Sequence, residues 1–168
     1  MPQSPTILYQ TGTTPIASHR AEPHERGILL MVIETPKSYD LLIADDNRGF
    51  RETLREFLEP RLVLRIHEVE SGEAAVEYSQ DYQIDIVLLD MHMHLMTGLE
   101  ALRVLKDMNA GRPCILITSE ATDELRKDAA DADAFSVLSK PVTRAELCAT
   151  IVNALVAAYD DPSIPDAF

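Results

Sequence analysis

Positive charge is in short supply. Lysine and arginine together number 15 against 28 aspartates and glutamates, a formal net charge of −13. A general nucleic-acid surface needs Lys and Arg to neutralise phosphates, so that class is excluded and no direct nucleic-acid partner is expected. Cysteine is scarcer still: Cys114 and Cys148 are the only two. Both fall in apolar patterns and read as reduced core thiols of a cytosolic protein rather than as a disulfide framework. No apolar run reaches transmembrane length, and the first residues lack the basic start and apolar core of a signal peptide. The expectation is a cytoplasmic protein without a membrane partner. What the chain does have is a 46% share of hydrophobic residues over 168 positions, enough for one packed domain with tails.

Residues 1–38 read as a disordered tail. Met1 to Glu25 is rich in Pro, Thr, Ser, Gln and His and has no steady apolar period. Gly27 to Ile33 is apolar but short, and Thr35-Pro36 stops it. It could be an extra edge strand, a docking segment or translated upstream sequence, with Met31 as a candidate start.

Regular patterning runs over residues 39–159. Leu41 to Ala44 is a short apolar strand leading into Asp45-Asp46-Asn47. Phe50, Leu54, Phe57 and Leu58 then recur on one helical face, with Arg51, Glu52, Arg55 and Glu56 on the other, until Pro60. Leu62 to Val69 alternates as a second strand, and Glu73 to Gln80 is a short helix. Ile84 to Leu89 is a continuous apolar run ending at Asp90, the pattern of a strand buried on both faces. Gly98 opens a helix with Leu99, Leu102, Leu105 and Met108 on its stripe, broken by Gly111-Arg112-Pro113. Cys114 to Ile117 is a fourth strand ending at Thr118-Ser119, followed by a polar helix over Thr122 to Ala132 with a thin apolar face. Phe135 to Leu138 is a fifth strand running into Ser139-Lys140-Pro141. Thr143, with Glu146 at capping-box spacing, starts a last helix striped by Leu147, Ile151 and Leu155. Residues 160–168, with two prolines, read as a short tail. Five strand–helix alternations predict an α/β domain with a parallel sheet and right-handed crossovers.

The polar residues at the strand ends carry the chemistry. Asp45-Asp46, Asp90, Thr118 and Lys140 each stand where an apolar strand stops, and in an open parallel sheet those ends share one edge. Three converging carboxylates repel one another unless a cation sits among them, and an oxygen-only ligand set suits Mg²⁺. Lys140 adds a positive charge and Thr118 a hydroxyl. The set suits a phosphoryl group held on Asp90, a carboxylate nucleophile.

In these motifs the chain from about Asp40 to Tyr159 resembles the receiver domain of two-component response regulators. The resemblance rests on Asp45-Asp46, the run Asp90-Met91-His92-Met93-His94-Leu95-Met96-Thr97-Gly98, Thr118-Ser119 and Lys140-Pro141, all in the family's order and spacing. It implies a flavodoxin-like (βα)5 three-layer sandwich with strand order 2-1-3-4-5. It implies that Asp90 is the phosphoacceptor, served by a sensor histidine kinase or phosphotransfer protein. Asp45, Asp46, Asp90 and the backbone carbonyl of His92 would hold Mg²⁺, and Thr118 and Lys140 would contact the phosphoryl oxygens. The chain is then expected to act not as an enzyme but as a stand-alone switch, signalling to an output protein through the surface of the fourth helix, fifth strand and fifth helix, or as an intermediate in a phosphorelay.

Three positions depart from the family or test it. His94 stands where the family usually has proline. Ser119 keeps the small residue usual after the threonine. Val137 occupies the place of the switch aromatic, with Phe135 two residues earlier, so the usual readout is in question. His92 and Glu120 sit at positions that tune dephosphorylation in the family. A transition-metal site at His92 and His94 lacks a third soft ligand. Two other functions compete: an aspartyl-nucleophile phosphatase, which would want an acid at position 92, and a degenerate receiver serving only as an interaction scaffold.

Overall fold

The computed structural model describes residues 37–59, 64–161 and 164. The expectations for residues 1–36, for Pro60 as the stop of the first helix and for Leu62 and Val63 in the second strand fall outside them. Ten elements alternate: β1 (Tyr39–Ala44), α1 (Arg48–Leu58), β2 (Leu64–Val69), α2 (Gly72–Asp81), β3 (Ile86–Asp90), α3 (Gly98–Met108), β4 (Cys114–Thr118), α4 (Asp123–Asp131), β5 (Ser136–Ser139) and α5 (Arg144–Tyr159). The sheet is parallel and ordered β2-β1-β3-β4-β5, the flavodoxin-like arrangement.

Strand alternation divides the core into two. Leu41, Ile43, Ile86, Leu88, Ile115 and Ile117 face α1 and α5, where Leu54, Leu58, Leu147, Ile151 and Leu155 complete one cluster. Leu42, Ala44, Val87, Leu89 and Leu116 face the other way and pack with Leu102 and Leu105 of α3, Ala75 of α2 and Ala129 of α4. A sheet buried on both faces has no polar side to alternate with, which is why β3 and β4 read as unbroken apolar runs.

Each described helix starts at a polar cap. Asn47, Ser71, Thr97, Thr122 and Thr143 accept from the backbone N–H three residues on. The full capping box lies at α3, where Thr97 and Glu100 exchange bonds. At α5 Thr143 accepts from the Glu146 N–H, and the reciprocal bond from the Thr143 N–H to the Glu146 carboxylate is not formed. Met108, placed on the α3 stripe by its spacing, is instead exposed. It is the last helical residue. Phe135 precedes β5 and is likewise exposed.

Part of the C-terminal segment packs. Ile164 is 2% exposed and joins the cluster of Tyr39 and Tyr159. The Tyr39 hydroxyl donates to Asp161 at 2.6 Å, and Lys37 Nζ lies 5.0 Å from the Tyr39 ring centroid.

Candidate functional site

The parallel strands deliver their ends to one edge. Asp45 follows β1, Asp90 closes β3, Thr118 closes β4 and Lys140 follows β5. Carboxylate oxygens of Asp45, Asp46 and Asp90 lie within 4.8 Å of one another. Asp45 and Asp90 are buried, at 1% and 5% exposure, while Asp46 is exposed at the mouth. Lys140 Nζ bridges the two buried acids, 2.8 Å from Asp90 Oδ1 and 3.1 Å from Asp45 Oδ2. It also lies 4.0 Å from the Phe50 ring centroid, a cation–π contact that walls the ammonium in.

Backbone donors hold the remaining carboxylate oxygens. The Asn47 N–H donates to Asp45 Oδ1 at 2.7 Å, and the His92 N–H to Asp90 Oδ2 at 3.1 Å. Burial pushes the Asp45 carboxyl above its ordinary value and the Asp90 charge adds to that, against the Asn47 N–H and Lys140, which favour the anion. Burial also weighs against the Lys140 ammonium, but its bond to Asp90 and the charges of both acids outweigh it, so its pKa is raised.

Three carboxylates and one ammonium leave a charge of about −2, which matches one divalent ion. The side-chain donors converging there are all carboxylate oxygens, so the set fits a hard cation of the Mg²⁺ type. His94 is set apart: its Nε2 is 3.8 Å from Asp46 Oδ2 and its side chain is 93% exposed.

Two glycines shape the loop between β3 and α3. A Cβ on Gly98 would stand 2.3 Å from the Asp90 carbonyl oxygen, and one on Gly72 would stand 2.9 Å from that of Met96. No side chain fits at Gly98, so the start of α3 can lie directly against the phosphoacceptor candidate. Between them Leu95 takes φ 66° and points outward, 96% exposed.

The structure thus brings Asp45, Asp46, Asp90 and Lys140 into one pocket. Thr118 is buried at the same edge, but its hydroxyl is engaged with its own loop, accepting from the Glu120 N–H at 3.1 Å. Among the described residues no hydrogen bond joins that hydroxyl to Asp90 or Lys140, although the Thr118 carbonyl accepts from the Lys140 backbone N–H at 2.7 Å. Val137 is half-buried and packs with the α2–α3–α4 cluster. Asn47, Phe50 and Arg51 are site neighbours that patterning does not mark as such. Phe50 reads as core and Arg51 as solvated helix face, yet Arg51 Nη1 donates to the Asp45 carbonyl at 2.6 Å. Only Asn47 carried a usable signal, as a cap residue directly after the acidic pair.

Comparison with known proteins agrees with this geometry. The model of the response regulator receiver domain matches residues 41–152. The chain is 33% identical over 117 residues to chemotaxis protein CheY of Halobacterium salinarum, covering 70% of this chain and 97% of that one. It is 29% identical to the sensory/regulatory protein RpfC of Xanthomonas campestris, of which it spans only 17%, over 72% of its own length. Among solved structures, the signal receiver domain of an HD domain-containing protein from Pseudomonas fluorescens superposes with a TM-score of 0.70 at 21% identity, over 74% of this chain and all (100%) of that one. That last likeness speaks for the fold alone. The matched span and the CheY relative go further: this chain belongs to the response regulator receiver domain family.

Proposed function

We propose that Asp90 accepts a phosphoryl group from a phosphohistidine on a sensor histidine kinase or phosphotransfer protein, and that the domain passes the signal on through a protein-interaction surface in the cytoplasm. The observation that carries this reading is the pocket itself: three carboxylates within 4.8 Å, with Lys140 between the two that are buried. Asp45, Asp46, Asp90 and the His92 carbonyl would hold Mg²⁺. That ion, when bound, supplies positive charge for the phosphoryl oxygens.

An Asp90 carboxylate oxygen forms the new P–O bond as the P–N bond to the donor imidazole breaks, and the imidazole leaves with the bonding pair. Lys140 is already at hydrogen-bond distance from Asp90, so its ammonium can follow the oxygens of the group in transfer. The Thr118 hydroxyl has to leave the Glu120 backbone to reach them. Burial of Asp90 keeps bulk water from the acyl phosphate.

The test is intact-mass analysis after exposure to a small phosphodonor with Mg²⁺. One phosphoryl group should be gained by the wild type and none by Asp90→Asn. Asp46→Ala should lose Mg²⁺ binding and be modified slowly. A chain that stays unmodified, or an Asp90→Asn variant modified equally well, overturns the reading.

A further inference from the structure

We infer that Arg51 is the positioning residue of the metal loop, an assignment that rests on the Mg²⁺ reading of the pocket. Pairing of β1 with β2 ends at Ala44, so the carbonyl of Asp45 is left without a strand partner at a position that is 1% exposed. A buried carbonyl needs a donor. Arg51, one turn into α1, supplies it: Nη1 donates to the Asp45 oxygen at 2.6 Å.

That bond fixes the plane of the peptide joining Asp45 to Asp46, and with it the directions in which the two carboxylates leave the backbone. The guanidinium is itself held. Its Nε donates to Glu68 Oε2 at 3.3 Å, and its side chain is only 12% exposed. Glu68 lies near the end of β2 opposite Ile43 of β1, so the clamp spans the site edge of the sheet from β2 through α1 to the loop. Glu68 offsets the Arg51 charge, so the positive group orients the acidic pair without standing as a bare competitor to a bound cation. The planar fork is what allows one side chain to serve both acceptors, and a lysine cannot do so in the same geometry.

The molecule contains its own control. Arg55, one turn further along α1, donates to the same carboxylate, its Nε 2.6 Å from Glu68 Oε1, but makes no contact with Asp45. A role in tying α1 to β2 would be shared by both arginines. A role in setting the metal loop belongs to Arg51 alone.

The experiment titrates the full chain with Mg²⁺, following backbone amide shifts, for wild type, Arg51→Met, Arg55→Met and Arg51→Lys. Melting temperatures are measured alongside, and Asp90 modification by a small phosphodonor is followed by mass. Arg51→Met should weaken Mg²⁺ binding about tenfold, the size found when groups that orient metal ligands are removed. Its phosphorylation should slow at limiting Mg²⁺ and recover at saturating Mg²⁺. Arg55→Met should lower the melting temperature by a similar amount and leave the affinity within about twofold of wild type, well short of that loss. Arg51→Lys, which can still reach the carbonyl, should fall between and serves if the methionine variant does not fold. Equal losses of affinity in the Arg51 and Arg55 variants, or unchanged or tighter binding without Arg51, overturn the inference. Absence of Mg²⁺ binding in the wild type overturns the parent reading and this one with it.

Discussion

Helices α3 and α4 stand in equivalent places. Each follows a strand that ends in a candidate site residue, Asp90 for α3 and Thr118 for α4, and each packs into the same core cluster. They are fastened very differently. α3 buries Gly98, Leu99, Ala101, Leu102 and Leu105 and begins with a reciprocal capping box. α4 buries Ala129 alone, and its N-cap Thr122 has Leu125 rather than a carboxylate at the reciprocal position. Arg126 ties α4 to β5 through bonds to the Val137 carbonyl and the Ser139 hydroxyl, at 3.2 and 3.4 Å. The Asp90 strand end is followed by a firmly packed helix. The Thr118 strand end, which the proposed switch would move, is followed by a loosely packed one, and a shift in α4 gives up little buried apolar surface.

The largest effect that could break this contrast is on stability. Leu102→Ala should cost about 2–5 kcal/mol in chemical denaturation, the range for a fully buried leucine. Leu125→Ala, at a half-buried position of α4, should cost less than about 2 kcal/mol. Equal costs would show that α4 is held as firmly as α3. Next comes Gly98→Ala, whose methyl has no room beside the Asp90 carbonyl. It should lose about 1–3 kcal/mol and slow phosphorylation of Asp90. A variant phosphorylated at the wild-type rate would mean that the close approach does not shape the site.

Thr118→Ala sharpens the comparison on the responsive side. Phosphorylation should still occur, because Thr118 makes no bond to Asp90. The amide shifts that a phosphoryl mimic induces in the Ser119–Asp123 loop and in α4 should largely vanish, removing a coupling of about 1–3 kcal/mol. If those shifts persist, the signal travels by another route. In wild type the shifts should be larger in α4 than in β5, because Val137 cannot make the rotamer swing of an aromatic.

The smallest effect is at the α3 cap. The Thr97 N–H and hydroxyl donate to the Glu100 carboxylate and lower its pKa. Its contribution is therefore present above the ordinary glutamate range and is lost as pH falls through the folded-state value. The Thr97 amide shift should follow Glu100 with a midpoint below the usual glutamate value. A midpoint at or above that value would show that the cap is not formed.

The inner strands β3 and β4 could be read from the sequence because a sheet covered on both faces leaves uninterrupted apolar runs there. The pocket could be read because parallel topology sends every strand end to one edge, so Asp45, Asp46, Asp90 and Lys140 needed no distance information to be placed together. What escaped depended on side-chain reach. Arg51 occupies a helix position that period assigns to solvent, and only the three-dimensional path of α1 past the end of β2 makes it a partner of Asp45. The α3 capping box pairs Thr97, inside the run that carries the site motif, with Glu100, two residues past the end of that run. Ile164 stands between Pro162 and Pro165 and has no periodic neighbours, so nothing in the pattern marks it as core.

The bond from Tyr39 to Asp161 and the burial of Ile164 draw the two ends of the described chain together beneath the start of β1. The six residues of β1 separate that point from the acidic pocket, about 20 Å along the strand. Cargo grafted at Lys37 or Ile164, whether a fluorescent reporter, a surface linker or another folded module, would hang from the pole of the domain remote from Asp90. A chain cut open elsewhere and rejoined here would need only a short splice.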